Sequence, residues 1–207
     1  GQRLLHDPFG AGYHNHVPQW LLRQTEAHTA ILIHGKGHQY HDGKEGTNSS
    51  WAFARILFYQ ATDRWMVLTS DASEPYQLVQ EDVKRVLRSV LFLKPDVFLI
   101  LDQISMRTSP AAVQARFQVF NDDRQGKVST TDGTFLIERP GASLQGKVFS
   151  GMPVNVRSGK LALPEDLGVY PFAEVNSGPA REHVLLTLCT AQSGDKPHGK
   201  CSVRQDG

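Results

Sequence analysis

Apolar residues along this chain alternate with polar ones, or run in short blocks of Val, Ile, Leu, Phe and Thr broken by turn residues. A period of two places successive side chains on opposite faces of an extended backbone, so the pattern predicts strands. Strands are expected at Arg3–His6, Leu21–Thr25, His28–His34, Ala54–Tyr59, Trp65–Ser70, Val83–Leu93 and Val97–Ile104. Further strands are expected at Ala112–Phe120, Val128–Thr131, Thr134–Arg139, Lys147–Phe149, Val154–Arg157, Phe172–Val175 and His183–Ala191. The turns between them are equally legible. Ala61-Thr62-Asp63-Arg64 joins two strands, and Lys94-Pro95-Asp96 forms the corner of the longest hairpin, where Pro sets φ and Asp favours a turn. Asp132-Gly133 is a two-residue hairpin signal.

Glu81–Leu91 comes nearest to a helical pattern, but Val83, Val86, Leu87, Val90 and Leu91 would cover too much of a helix. The fold class expected is therefore all-β: a large antiparallel β-sandwich of roughly a dozen strands, burying the inner faces of two sheets. Neither an internal repeat nor a linker-like stretch divides the chain, so residues 1–207 are read as a single sandwich domain. The opening Gly1-Gln2-Arg3-Leu4-Leu5 resembles the middle of a strand, and the reading is of a piece of a longer protein.

Charge and composition narrow the function. Lys and Arg number 22 against 21 Asp and Glu, so there is no basic footprint for nucleic acid. At 40% hydrophobic residues the chain can build a core, and no apolar run reaches the ~20 residues of a membrane helix. Candidate chemistry is concentrated at one end. Of nine His, seven fall early: His6, His14, His16, His28, His34, His38 and His41, with Asp7 and Asp42 among them. Imidazole beside carboxylate is metal-ligating chemistry, with zinc favoured over calcium where nitrogen dominates, although no tight metal motif is present. His14 and His16 share one face if extended. Tyr13, in a Gly-rich loop beside the His cluster, is placed with His14 and His16 as a substrate-binding group, a role that the family resemblance described below implies, and its aromatic face would suit a pyranose. Trp20, Trp51, Trp65 and Tyr76 could stack on sugars in the same way or serve as core. Arg85 and Arg88, three apart and so on opposite faces of a strand, could grip a carboxylate or pair with an acid on a neighbouring strand. His183 and His198 are isolated and read as structural or exposed. Cys189 and Cys201 flank a loop and could form a disulfide. Gly10-Ala11-Gly12 and Gly35-Lys36-Gly37 lack the spacing of a phosphate loop.

Several segments together resemble the heparinase II/III-like polysaccharide lyases. They are Asp7-Pro8-Phe9-Gly10 with Tyr13, Ala27-His28-Thr29-Ala30 running to Gly35, Ser70-Asp71-Ala72-Ser73 with Tyr76, and Arg85-x-x-Arg88 through Lys94-Pro95-Asp96 to Asp102. They occur in the family's order over roughly residues 3–104. Thr29, Ala30 and His34 depart from the family's usual Asn, Thr and Asp. The resemblance implies the C-terminal sandwich of an enzyme whose N-terminal α/α toroid is missing from this chain, with acidic polysaccharide held between the two. It implies β-elimination at a uronic acid, with the leading acid/base Tyr on the toroid and no catalytic residue carried over to this chain. It also implies that Asp7 and His28 are ligands of a divalent metal, usually zinc, whose third ligand lies in a preceding His-x-His strand absent here. A periplasmic or secreted location follows, as does inactivity of the isolated sandwich. Two other readings stand beside this one: a non-catalytic carbohydrate-binding or structural sandwich, and a metal-dependent enzyme using at least three of His6, Asp7, His14, His16 and His28.

Overall fold

A computed structural model describes residues 2–7, 21–22, 24–38, 52–194 and 198. The strands are β1 (Ile31–Ile33), β2 (Arg55–Ala61), β3 (Trp65–Asp71), β4 (Val83–Leu93), β5 (Val97–Met106) and β6 (Ala111–Gln118). They continue as β7 (Lys127–Thr131), β8 (Thr134–Arg139), β9 (Ala142–Ser150), β10 (Val154–Lys160), β11 (Pro171–Ala180) and β12 (Glu182–Ser193), with a short helix α1 (Ser73–Gln77) between β3 and β4. They form two antiparallel sheets: a small one in the order β1-β6-β11-β10 and a large one in the order β2-β3-β4-β5-β12-β9-β8-β7. The expected all-β sandwich of about a dozen strands is the fold.

One core lies between the sheets. Val113, Ala115 and Phe117 of β6 and Val175 of β11 meet Val86, Ile100, Ile104, Phe135, Ile137, Leu144 and Leu185 of the large sheet. Phe117 and Phe135 bridge the two layers with ring centroids 4.7 Å apart. Gly146 makes room for this contact, because a Cβ there would sit 2.1 Å from the Phe135 ring. Gly146→Ala is expected to displace that ring and lower stability by about 1–3 kcal/mol. Urea unfolding checks it, and an unchanged midpoint would mean the ring is not held.

Among the described residues, no member of β2 or β3 belongs to this core. The small sheet covers only part of the large one. On the large sheet's other face the register lines up Val67, Leu91, Leu99 and Leu188, with Leu101, Leu186 and Phe149 in a second row. An antiparallel sheet normally turns a polar face to water, so this apolar outer face is a departure.

Some expected strands have other forms. In place of a strand over Leu21–Thr25, residues 21–22 and Thr25–Ala27 form 3-10 turns. Leu22 and Ala27 instead pack with Leu161 and Phe172 over the outside of the small sheet. The strand expected over His28–His34 is only Ile31–Ile33, because Ile33 and Lys36 close a tight turn in which His34 and Gly35 take positive φ. Arg3–His6 makes a single bridge, Leu5 to Val119. The 83–106 hairpin and the Asp132-Gly133 turn lie where expected, with Thr131 opposite Thr134 and Gly133 at φ 64°. That left-handed conformation suits glycine.

Candidate functional site

The best-defined cluster of chemistry is assembled on β6. Two stretches far apart in sequence run along the same edge of this strand: Leu4–His6 beside Gln118–Phe120, and the segment up to β1 beside Val113–Arg116. The His6 amide donates to the Gln118 carbonyl at 3.2 Å, and the Arg116 amide donates to the Ala30 carbonyl at 2.9 Å. Sharing this edge brings together the residues that follow one stretch and precede the other. His28 Nδ1 lies 3.0 Å from Asp7 Oδ1. His38 is close enough for the His28 charge to act on it: burial lowers its pKa, and His28 lowers it further. The His38 ring meets Tyr76 edge-on at 5.5 Å.

The backbone carrying His28 is held by buried side chains from both sheets. Arg116 Nη1 donates to the Glu26 carbonyl at 2.6 Å, and Arg88 Nη1 to the Thr29 carbonyl at 2.8 Å. Thr29 Oγ1 accepts the Gln118 amide at 3.1 Å. Tyr76 Oη donates to the Ile31 carbonyl at 2.5 Å, and Gln80 Nε2 to the Ile33 carbonyl at 2.8 Å. Burial raises the Tyr76 hydroxyl's pKa, so it acts as a neutral donor. Side chains thus satisfy the Glu26, Thr29 and Ile31 carbonyls, and the Ile33 carbonyl takes a second bond beside that from the Lys36 amide, the condition for placing irregular backbone beside a core.

Those donors are fixed in turn. Arg88 grips Asp102 through Nε at 2.6 Å and Nη2 at 3.0 Å, from directly opposite positions on β4 and β5. Arg116 and Arg157 converge on Glu174, at 2.5 and 2.7 Å, with the Arg116 guanidinium 3.9 Å from the Phe172 ring centre. Asp71 accepts from both the amide and the hydroxyl of Ser73, whose oxygen accepts the Val86 amide at 2.9 Å. Arg88 therefore pairs with a neighbouring strand rather than meeting a ligand, while Arg85 is exposed.

The donor set suits a metal in part. Two ligand atoms each ~2.1 Å from a tetrahedral ion lie ~3.4 Å apart, close to the separation between His28 Nδ1 and Asp7 Oδ1. Both side chains are open to solvent, at 32% and 69%. A carboxylate and an imidazole thus fit two positions of such a site. Among the described residues, no group of three His, Cys, Asp or Glu is arranged to hold an ion. His6 faces Asp122, at 3.6 Å, and the Phe120 ring.

Tyr13, His14 and His16, the expected substrate-binding residues, lie outside the described residues, as do Trp20, Trp51, His41 and Asp42. Cys201 does too, so the pairing with Cys189 falls outside them; Cys189 itself is buried, which pushes its thiol up to about 12. His183 is structural: Ser177 Oγ lies 2.9 Å from its Nδ1 and the Ala111 carbonyl 2.9 Å from its Nε2. His198 bonds Ser143 and Thr190. Sequence reading missed Arg116, Gln118 and Glu174. A charged residue inside an otherwise apolar strand, as in Ala-Arg-Phe or Ala-Glu-Val, was the available signal.

No protein-family model and no curated protein matches the chain. Solved structures do. The chain is similar to a heparinase III, the BT4657 gene product, with a TM-score of 0.67 and 16% identity over 92% of this chain and 28% of that one. It is similar to the heparan sulfate lyase HepC of Pedobacter heparinus, with a TM-score of 0.64 and 16% identity over 86% of this chain and 26% of that one. A further heparinase III matches with a TM-score of 0.61 and 11% identity over 86% of this chain and 25% of that one. These likenesses show a shared fold, and the chain spans little more than a quarter of the length of the structures it matches.

Proposed function

We propose that this chain is the β-sandwich portion, a single domain over residues 1–207, of a polysaccharide lyase that cleaves a uronate-containing polymer by β-elimination. The observation that carries the reading is the meeting of Asp7 and His28 at 3.0 Å on the edge of β6. The lyase-like segments name these two residues jointly, 21 positions apart, and three further residues of those segments, Tyr76, Arg88 and Asp102, form the scaffold beneath them. The fold shared with heparinase III and HepC supports it.

In such a reaction the proton at C5 of the uronate becomes removable only when the adjacent carboxylate is neutralised by hydrogen bonds or a cation. A base then takes the proton, and an acid supplies one to the departing glycosidic oxygen. On this reading the acid/base groups belong to an upstream toroid domain. This chain supplies one wall of the cleft, with Tyr13, His14 and His16 toward substrate. The half-buried apolar row of Val67, Leu91 and Leu99 on the outer face supports a covering domain, as does the small share of the matched structures that the chain spans. A divalent ion, zinc in preference to calcium, would be held by Asp7 and His28 and would cross-link the segment after Leu4–His6 to the turn before β1. The enzyme is placed in the periplasm or outside the cell; among the described residues no helix is long and apolar enough to cross a membrane.

The test is turnover of heparan, alginate and other uronate polymers, read as the ultraviolet absorbance of the unsaturated product. A protein extended upstream to include the toroid is expected to produce that band, and the 207-residue chain alone is not. Absence of product from the extended protein on every uronate polymer would overturn the lyase reading. Elemental analysis tests the metal separately. In the protein extended upstream, which restores the third ligand, about one divalent ion per chain is expected, lost in Asp7→Ala and in His28→Ala while the far-ultraviolet dichroism holds. A metal-free extended protein after incubation with zinc would remove the ion from the scheme.

A further inference from the structure

The two sheets have four edge strands, and three of them are guarded. β1 is three residues long and buried. β10 carries Arg157 and Lys160 beside Gly159, and β7 is five residues, Lys-Val-Ser-Thr-Thr. Short, charged or polar edges of this kind keep sheets from pairing with other chains.

β2 is different. It is seven residues long, Arg-Ile-Leu-Phe-Tyr-Gln-Ala, with no Pro and no Lys, and every residue is exposed. Its inner edge pairs with β3, and among the described residues nothing pairs with its outer edge. Ile56, Leu57, Phe58 and Tyr59 are 68%, 55%, 50% and 60% exposed, and Phe53 just before them is 67% exposed. The apolar side chains project on both faces: Phe58 is opposite Thr69 on one, and Tyr59 is opposite Leu68 on the other.

We propose that β2 is a self-association edge, pairing antiparallel with β2 of a second copy across a two-fold axis and joining two large sheets into one. The inference does not depend on the lyase reading. A two-fold pair suits this strand because it is self-complementary. Arg55 is the strand's one charge and stands at its end. β2 has a bulge at Leu57, and pairing centred on Phe58, just past it, sets Arg55 of each copy toward the Ala61 end of the other, never against its own image. Large apolar side chains carry ~150–250 Å² each, so these five leave on the order of 500 Å² per copy in water, and pairing along the edge covers their flanks. The contact is therefore smaller than a standard interface of ~1,200–2,000 Å² and draws on backbone hydrogen bonding as well as on these flanks. In an antiparallel strand only alternate residues turn their N–H and C=O to the outer edge, and these gain hydrogen bonds they otherwise make with water, the rest already pairing with β3.

Sedimentation velocity on the 207-residue chain over a wide concentration range tests this. The expected result is a species of twice the chain mass that Phe58→Lys/Tyr59→Lys reduces to monomer, while Lys127→Ala on the opposite edge leaves it intact. Hydrogen exchange of the wild-type β2 amides gives a second readout that needs no variant: exchange over residues 55–61 should slow as concentration rises. A wild-type chain that stays monomeric, with β2 amides exchanging at one rate throughout, overturns the proposal and leaves the edge to another domain of a longer protein. A dimer that the lysine variant does not weaken, or an open series of larger species, overturns it as well.

Discussion

Asp102→Ala is expected to destabilise the sandwich by about 3–5 kcal/mol, because it leaves the Arg88 guanidinium between the sheets without its counter-ion. Asp102 is fully buried, and both its oxygens are engaged by Arg88. The price of placing this pair inside is met by geometry: two parallel N–H···O contacts, plus a third donation to the Thr29 carbonyl. Cutting the carboxylate removes the two contacts that aim Arg88, so the backbone next to His28 loosens along with global stability. The double variant Arg88→Met/Asp102→Leu should recover most of the loss, since a buried ion pair replaced by apolar groups of similar volume is often close to neutral. Urea midpoints of the three proteins decide it. A loss in Asp102→Ala of less than about 0.5 kcal/mol, the range of ordinary surface changes, would contradict the account.

Glu174→Gln is expected to lower stability at neutral pH by about 2–4 kcal/mol and to flatten the acid limb of the stability curve. The Glu174 side chain is 1% exposed and holds two arginines. Burial pushes its pKa up, but Arg116 and then Arg157 push it down further, so it lies below the ordinary value of 4.5. The sign follows from linkage. A carboxyl whose folded pKa is depressed contributes its full stability above the unfolded value, and that stability is lost as pH falls through the folded pKa. Wild type should therefore lose stability below about pH 4.5, and Glu174→Gln should lose less over the same interval. Most of the neutral-pH cost comes from Arg116, which is largely buried, and little from Arg157, whose side chain is 61% exposed and stays solvated. Parallel acid limbs in the two proteins would show that another carboxyl dominates.

Strand content was legible because the signal is local. Val83–Leu93 and Thr134–Arg139 begin and end where the alternation does, with turns at Lys94-Pro95-Asp96 and Asp132-Gly133. Extents were less legible where small or polar residues continue a strand. β9 runs over Ala142–Ser150, well beyond its apolar Lys147–Phe149 segment, because Gly146 and its neighbours are placed by Phe135 of the adjacent strand. Leu21–Thr25 misled for the converse reason. Its apolar pair reads as strand, yet Leu22 caps the outside of the small sheet from a turn.

The site divides in the same way. Asp7 and His28 could be singled out by residue type and by resemblance, and their neighbours Tyr76, Arg88 and Asp102 fell within the same segments. What those neighbours do is not written locally. Whether Arg88 meets a ligand or Asp102 depends on a register between two strands, and whether Asp7 reaches His28 depends on both segments choosing the same edge of β6. Alternation, turn chemistry and composition act over a few residues, so the sequence by itself determined an all-β chain and most of its strands. Partition into a four-stranded and an eight-stranded sheet, the arginine pairings, the meeting of Asp7 with His28 and the open edge at β2 were decided by the tertiary structure alone. The contacts join residues on different strands or segments, the open edge is a strand with no outer partner among the described residues, and only packing selects among the pairings that local pattern allows.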